Sequence, residues 1–278
     1  MKHSSSKNKA KRQERNQLII KAHLLYLELA QAIIDKAEET LISPSLTDID
    51  IITLLKIDVI KGYITHAERQ IDQLRRRVID GETIPHHEKV FSIFEEHTKW
   101  IVKGKAGVPQ ELGMNVCIVK DQFGFILHYH VMENESDDVK IAVPIIRETR
   151  ERFEYFNSCS FDKGFHSPDN QKKLAEISGK VILPRKGKLS AINREIENSD
   201  EFRVARRKHS AVESSINALE NHGLDRCPDH GLEGFKRYVG LAVLARNIQI
   251  LGHAIQQKKL KKLQRLEKRQ RKGLSLAS

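Results

Sequence analysis

The chain has 278 residues, 39% of them hydrophobic and 31% charged, enough apolar material for one large domain or a smaller domain with an added arm. Lysine and arginine number 48 against 37 aspartates and glutamates, a net charge of +11, which points to a polyanionic partner, nucleic acid being the commonest. Three scattered cysteines, Cys117, Cys159 and Cys227, exclude a disulfide framework or a thiolate zinc site; with no unbroken run of about 18 apolar residues and no hydrophobic leader, a cytoplasmic protein without a membrane partner is expected.

Residues 1–9 read as disordered. From 10 to about 41, Leu18, Ile19, Ala22, Leu25, Tyr26, Leu29 and Ile33 recur at three- and four-residue steps, which predicts a helix. Ser43-Pro44-Ser45 ends it. Segments 46–55 and 59–78 carry similar spacing; in the latter Ile64, Ala67, Ile71 and Leu74 form one face and Arg75-Arg76-Arg77 lies on the solvent side. Residues 1–80 therefore read as a helical arm that could bind DNA or pair with another subunit. It carries no clear helix-turn-helix signature.

The pattern changes after the Asp80-Gly81-Glu82 turn. Residues 89–95, Lys-Val-Phe-Ser-Ile-Phe-Glu, are rich in β formers and predict a strand. Lys103-Gly104-Lys105-Ala106-Gly107 is a basic loop without Walker-A spacing. Strands at 113–120 and 125–132, joined by Asp121-Gln122-Phe123-Gly124, read as a hairpin. Asp137 or Asp138 can cap a helix running to about Phe156. A short helix at 170–178, a buried strand at 180–184 and the basic loop Arg185-Lys186-Gly187-Lys188 follow. Helices are predicted at 200–221, ended by Gly223, and at 232–251, before a basic helical tail from Lys258 to Lys272. Three strands, helix, strand, helix, strand, then helices suggest an α/β fold, a mixed sheet covered by helices.

Two acids stand out in this layout. Asp162 follows residues that suit the end of a buried strand, ahead of a crossover helix, where open α/β sheets place their chemistry; a plain turn or capping aspartate fits the local pattern equally. Glu213 lies beside the apolar stripe Val212, Ile216 and Leu219, with His209 and Asn217 one turn away on either side. A carboxylate there needs a partner or a metal, and a rim glutamate paired with Arg207 or Lys208 is the alternative. His222, Cys227 and His230 lack a fourth zinc ligand at a familiar spacing, and no nucleophile elbow supports Ser-His-Asp hydrolysis.

Several blocks in one order resemble bacterial insertion-sequence transposases of the DDE type: residues 88–106, Ser160-Phe161-Asp162-Lys163-Gly164-Phe165, Leu183-Pro184-Arg185-Lys186-Gly187, His209-Ser210-Ala211-Val212-Glu213, Asn221-His222-Gly223-Leu224-Asp225-Arg226-Cys227 and Gly234-Phe235-Lys236-Arg237-Tyr238-Val239. The resemblance covers roughly residues 80–252. It implies a ribonuclease-H-like core, a mixed five-stranded sheet flanked by helices, within a catalytic domain at 81–255, between the helical arm and a basic C-terminal helix at 256–278. It also implies three acids holding two divalent ions, Mg²⁺ or Mn²⁺. Asp162 matches the second acid and Glu213 the third. The first falls on Glu95, at the end of the first predicted strand, with Glu96 and Asp121 as alternatives; Asp121 sits in a hairpin turn, where aspartate is expected without chemistry. His97, His209, Lys163 and Lys186 become candidate phosphate contacts. The implied activity is cleavage of double-stranded DNA at transposon ends and strand transfer to a target, by a homodimer on DNA, in the nucleoid. The alternative is a truncated or inactive transposase-derived DNA-binding protein, and a third reading is a helical protein whose tail binds RNA.

Overall fold

In the computed structural model residues 2–42, 50–102, 110–133, 137–154 and 156–275 are described, and the chain divides into two units, Met1–Gly113 and Met114–Ser278. The basic loop at 103–107 lies outside the described residues.

In the first unit, helix α1 (Lys2–Ile42) packs against α2 (Ile51–Leu74). Leu27 and Ile34, seven residues apart on α1, are buried with Ile71, and Ala30, Ile64, Ala67 and Leu74 close around them, so the predicted face of α2 is the packed one. α1 starts at Lys2, ahead of the predicted start at residue 10. The separately predicted segments 46–55 and 59–78 are one helix from Ile51, where the Asp50 carboxylate accepts the Thr53 N–H as an N-cap. Arg76 departs from the solvent-side reading: it is half-buried and gripped by Glu82, Glu88 and Asp72.

Residues 89–95 do not form the predicted strand. Gln73 on α2 accepts the Val90 N–H at 2.7 Å and donates to its carbonyl at 3.3 Å. Ser92 Oγ accepts the Glu95 N–H, and Thr98 donates to the Glu95 carbonyl. These bonds satisfy backbone groups that a ladder would otherwise need. The first strand is β1 (Lys99–Val102), antiparallel to β2 (Gln110–Gly113).

The second unit opens with the predicted hairpin, β3 (Val116–Lys120) and β4 (Ile126–Val131). Asp121 Oδ1 accepts the N–H groups of Phe123 and Phe125, and Gly124 takes the positive φ (98°) that closes the turn. Helix α3 (Asp138–Arg152) ends short of Phe156 and buries Ile141, Ile145 and Thr149 at four-residue steps. β5 (Ser158–Ser160) and β6 (Lys180–Ile182) pair in parallel across α4 (Pro168–Ile177), whose N-cap is Ser167. Met132, α3, Phe161, Leu174 and Leu183 form one core.

A five-stranded mixed sheet is not seen among the described residues. Among the described residues the strands make three two-stranded ladders, and α3 joins the second and third through side chains. β5 and β6 have only three residues each, short for a shared ladder. The architecture is mixed α/β, mostly helical with small sheets.

After the basic loop the chain forms α5 (Ala191–Asn198). The helix predicted at 200–221 is broken into α6 (Asp200–His209) and α7 (Ala211–Leu219). At the break the Ser210 hydroxyl donates to the Arg207 carbonyl, a local competitor for helical bonding. Gly223, at φ 105°, sits at the kink after α7 as expected. Helix α8 (Gly231–Ser275) merges the last predicted helix with the basic tail; Val239 and Val243 are buried while Leu241, Leu244, Ile248 and Leu251 are exposed. By length and composition alone, stretches of α1 and α8 are apolar enough to cross a membrane, which the unbroken-run criterion misses because polar residues interrupt both.

Candidate active site

Strand periodicity places Asp162. The Phe161 N–H donates to the Ile182 carbonyl at 2.9 Å, prolonging the β5–β6 ladder by one residue and turning the Phe161 ring into the core. Ser160 and Asp162, on either side, therefore face away from that core. Asp162 precedes the 3-10 turn Lys163–Phe165, yet its side chain makes no capping hydrogen bond. The turn is closed by its backbone carbonyl, which accepts from Phe165. The carboxylate is left 64% exposed and open to a ligand.

One side chain reaches it from α6. His209 Nε2 lies 3.3 Å from Asp162 Oδ1, and His209 Nδ1 lies 2.9 Å from Ser160 Oγ. With its proton on Nε2, the ring faces the carboxylate with a donor and accepts the Ser160 hydroxyl proton at Nδ1. Ser160 thereby orients His209 towards Asp162. Alternation along β5 was the signal that could have singled Ser160 out.

The turn after Asp162 is held from three sides. Buried Asn170 donates to the carbonyls of Phe165 and Val139. Lys186, from the basic loop after β6, donates to the Gly164 carbonyl at 2.7 Å. Asp138, at the start of α3, abuts Gly164 so closely that a Cβ there would stand 2.6 Å from its Oδ2. Burial raises the Asp138 pKa above its ordinary 3.8, and the negative charges of Asp162 and Asp137 add to the rise while Lys186 opposes it. Asp138 can be read as a helix cap from sequence; its closeness to Asp162 appears only in three dimensions. His166 packs nearby, its Nδ1 accepting the Lys186 N–H at 3.4 Å and its Nε2 buried with no hydrogen-bond partner among the described residues. Its pKa is lowered by burial first and then by Arg185 and Lys186. Lys163 is exposed.

Glu213 stands in the first turn of α7, exposed, where a carboxylate also suits the helix dipole. The strand end holds this helix: Lys120 donates to the Ala211 carbonyl at 2.6 Å and to Ser215 Oγ at 3.0 Å. Asp162 and Glu213 thus belong to the second unit, on elements linked through the α6–α7 break. Glu95 belongs to the first unit. It lies in the turn before β1 rather than at a strand end, 29% exposed, with His97 Nδ1 3.6 Å from its Oε2. Glu96 pairs with His66 on α2. Asp121 is used by its own hairpin turn.

Among the described residues no group of three His, Cys, Asp or Glu side chains comes together to hold a metal. The donor chemistry at Asp162 nevertheless suits a hard divalent cation: an open carboxylate that its own turn does not use.

No curated protein and no solved structure matches the chain. A family model described as "Transposase DDE domain" matches residues 72–248. That span contains Glu95, Asp162 and Glu213, the Ser160–His209 pair and the Lys186 loop. The chain belongs to the family of transposases with a DDE domain.

Proposed function

We propose that this chain cleaves double-stranded DNA at transposon ends and joins the freed end to a target, acting as a homodimer on DNA in the nucleoid. The catalytic domain would span residues 81–255 with a ribonuclease-H-like arrangement, between an arm at 1–80 and the basic helix at 256–278. The observation that carries the reading is the family match across the span holding all three candidate acids, supported by an Asp162 carboxylate that its own turn does not use.

Asp162, Glu213 and Glu95 are the residues that would hold Mg²⁺ or Mn²⁺. When bound, such an ion supplies Lewis acidity for phosphodiester chemistry. His209, oriented by Ser160, holds a donor against Asp162 and is placed to meet a phosphate oxygen there. Lys186 and Asn170 fix the backbone beneath the carboxylate. In the first step water attacks the phosphorus and the bond to the 3′-oxygen breaks, leaving a 3′-hydroxyl. That hydroxyl then attacks a target phosphodiester, whose own 3′-oxygen leaves.

The distinguishing experiment supplies precut duplex ends bearing a 3′-hydroxyl, with Mg²⁺ and a plasmid target. Joined products are expected from the native protein, with a fall of at least about 100-fold for Glu213→Gln and for Glu95→Gln. Joining at the native rate by Glu95→Gln would remove Glu95 from the set. A second reading, a DNA-binding derivative without catalysis, predicts duplex binding and no joined product.

A further inference from the structure

Lys120 and Arg246 are two cations from different elements whose hydrogen bonds, among the described residues, go to neutral acceptors alone. Lys120 ends β3, and both of its hydrogen-bond partners, the Ala211 carbonyl and the Ser215 hydroxyl, are neutral. Arg246 lies on α8; its Nη1 donates to the neutral Gln249 amide oxygen at 2.5 Å, and its Nε is buried with no hydrogen-bond partner among the described residues. Among the described residues neither makes an ion pair. Asp121, the acid next to Lys120, has its Oδ1 committed to two N–H groups of the hairpin turn.

The two are brought to the same level by a specific lock. Asn247, next to Arg246, accepts the Ile126 N–H and donates to the Ile126 carbonyl, both at 2.9 Å. Ile126 is the cross-strand register partner of Lys120. Burial and then the charge of Arg246 lower the Lys120 pKa, while the charge of Asp121 opposes the fall, so the two cations repel each other and Asp121 offsets that only in part. A guanidinium and an ammonium whose hydrogen bonds go only to neutral acceptors are a setting that an anion completes.

We propose that Lys120 and Arg246 form a phosphate-binding site for duplex DNA, at the junction of β3, α7 and α8. This rests on the reading of the chain as a DNA-acting enzyme. It assigns the backbone of bound DNA a contact beside the helix that carries Glu213, in addition to the basic tail. Lys120 also tethers α7, so Arg246 is the cleaner position to alter.

The test measures binding of a random-sequence duplex by full-length Asp162→Asn protein, without divalent metal, across a salt series. Arg246→Gln should reduce the magnitude of the slope of log K against log salt by about 0.9, the value of one lost phosphate contact, whereas Arg246→Lys should keep the native slope. Lys120→Gln should lower it similarly, with its thermal midpoint measured in parallel because of the α7 tether. An unchanged slope in Arg246→Gln would overturn the site and leave the enzymatic reading intact. Absence of salt-dependent duplex binding by the parent protein would overturn both.

Discussion

At Gly164 a Cβ would meet Asp138 Oδ2 at 2.6 Å, so something there must shift, and the Gly164 carbonyl is held by Lys186. Gly164→Ala should therefore displace the turn that carries Asp162 and cost about 1–3 kcal/mol in urea unfolding. Asp138→Ala in the same chain should restore most of that loss by removing the atom the methyl strikes. An unchanged urea midpoint in Gly164→Ala would show that the carboxylate and the turn do not meet in this way. At this scale Asp162 and Glu213 were legible as acids at an expected strand end and on a helix. Ser160, Asp138 and Lys120 were not, because each acts through a partner distant in sequence.

Among the elements, α8 is fastened to the hairpin through the two Asn247–Ile126 hydrogen bonds. The backbone N–H and carbonyl of Ile126 thus draw on a side chain from another element. Asn247→Ala would leave both groups of a buried residue unpaired, and a loss of about 2 kcal/mol or more is expected in chemical denaturation; a midpoint within error of the native one would contradict that anchoring. The hairpin, the packed face of α2 and the strand–turn–helix around Asp162 could be read in advance because local pattern and tertiary role agree there. The predicted strand at 89–95 failed for the opposite reason: Gln73, on a helix, supplies the bonds to Val90 that a neighbouring strand would have given. The break at Ser210 likewise depends on one hydroxyl bonding back to Arg207, which hydrophobic periodicity does not register.

For the whole molecule, the charge of +11 and the DDE-domain match over residues 72–248 agree on a DNA-acting role. The matched span crosses the division between the two units, with Glu95 on one side and Asp162 and Glu213 on the other. The order of the motifs therefore carried more functional information than any single element. The expectation of one five-stranded sheet, by contrast, gave way to three short ladders. The central claim is that Asp162 is a metal-holding catalytic carboxylate. Its most direct test is the nicking of a duplex bearing the transposon end by native and Asp162→Asn protein, with Mg²⁺ and after chelation. Nicking by the native protein should be lost on chelation and fall by at least about 1,000-fold in Asp162→Asn. Metal-dependent nicking that persisted at the native rate in Asp162→Asn would contradict it.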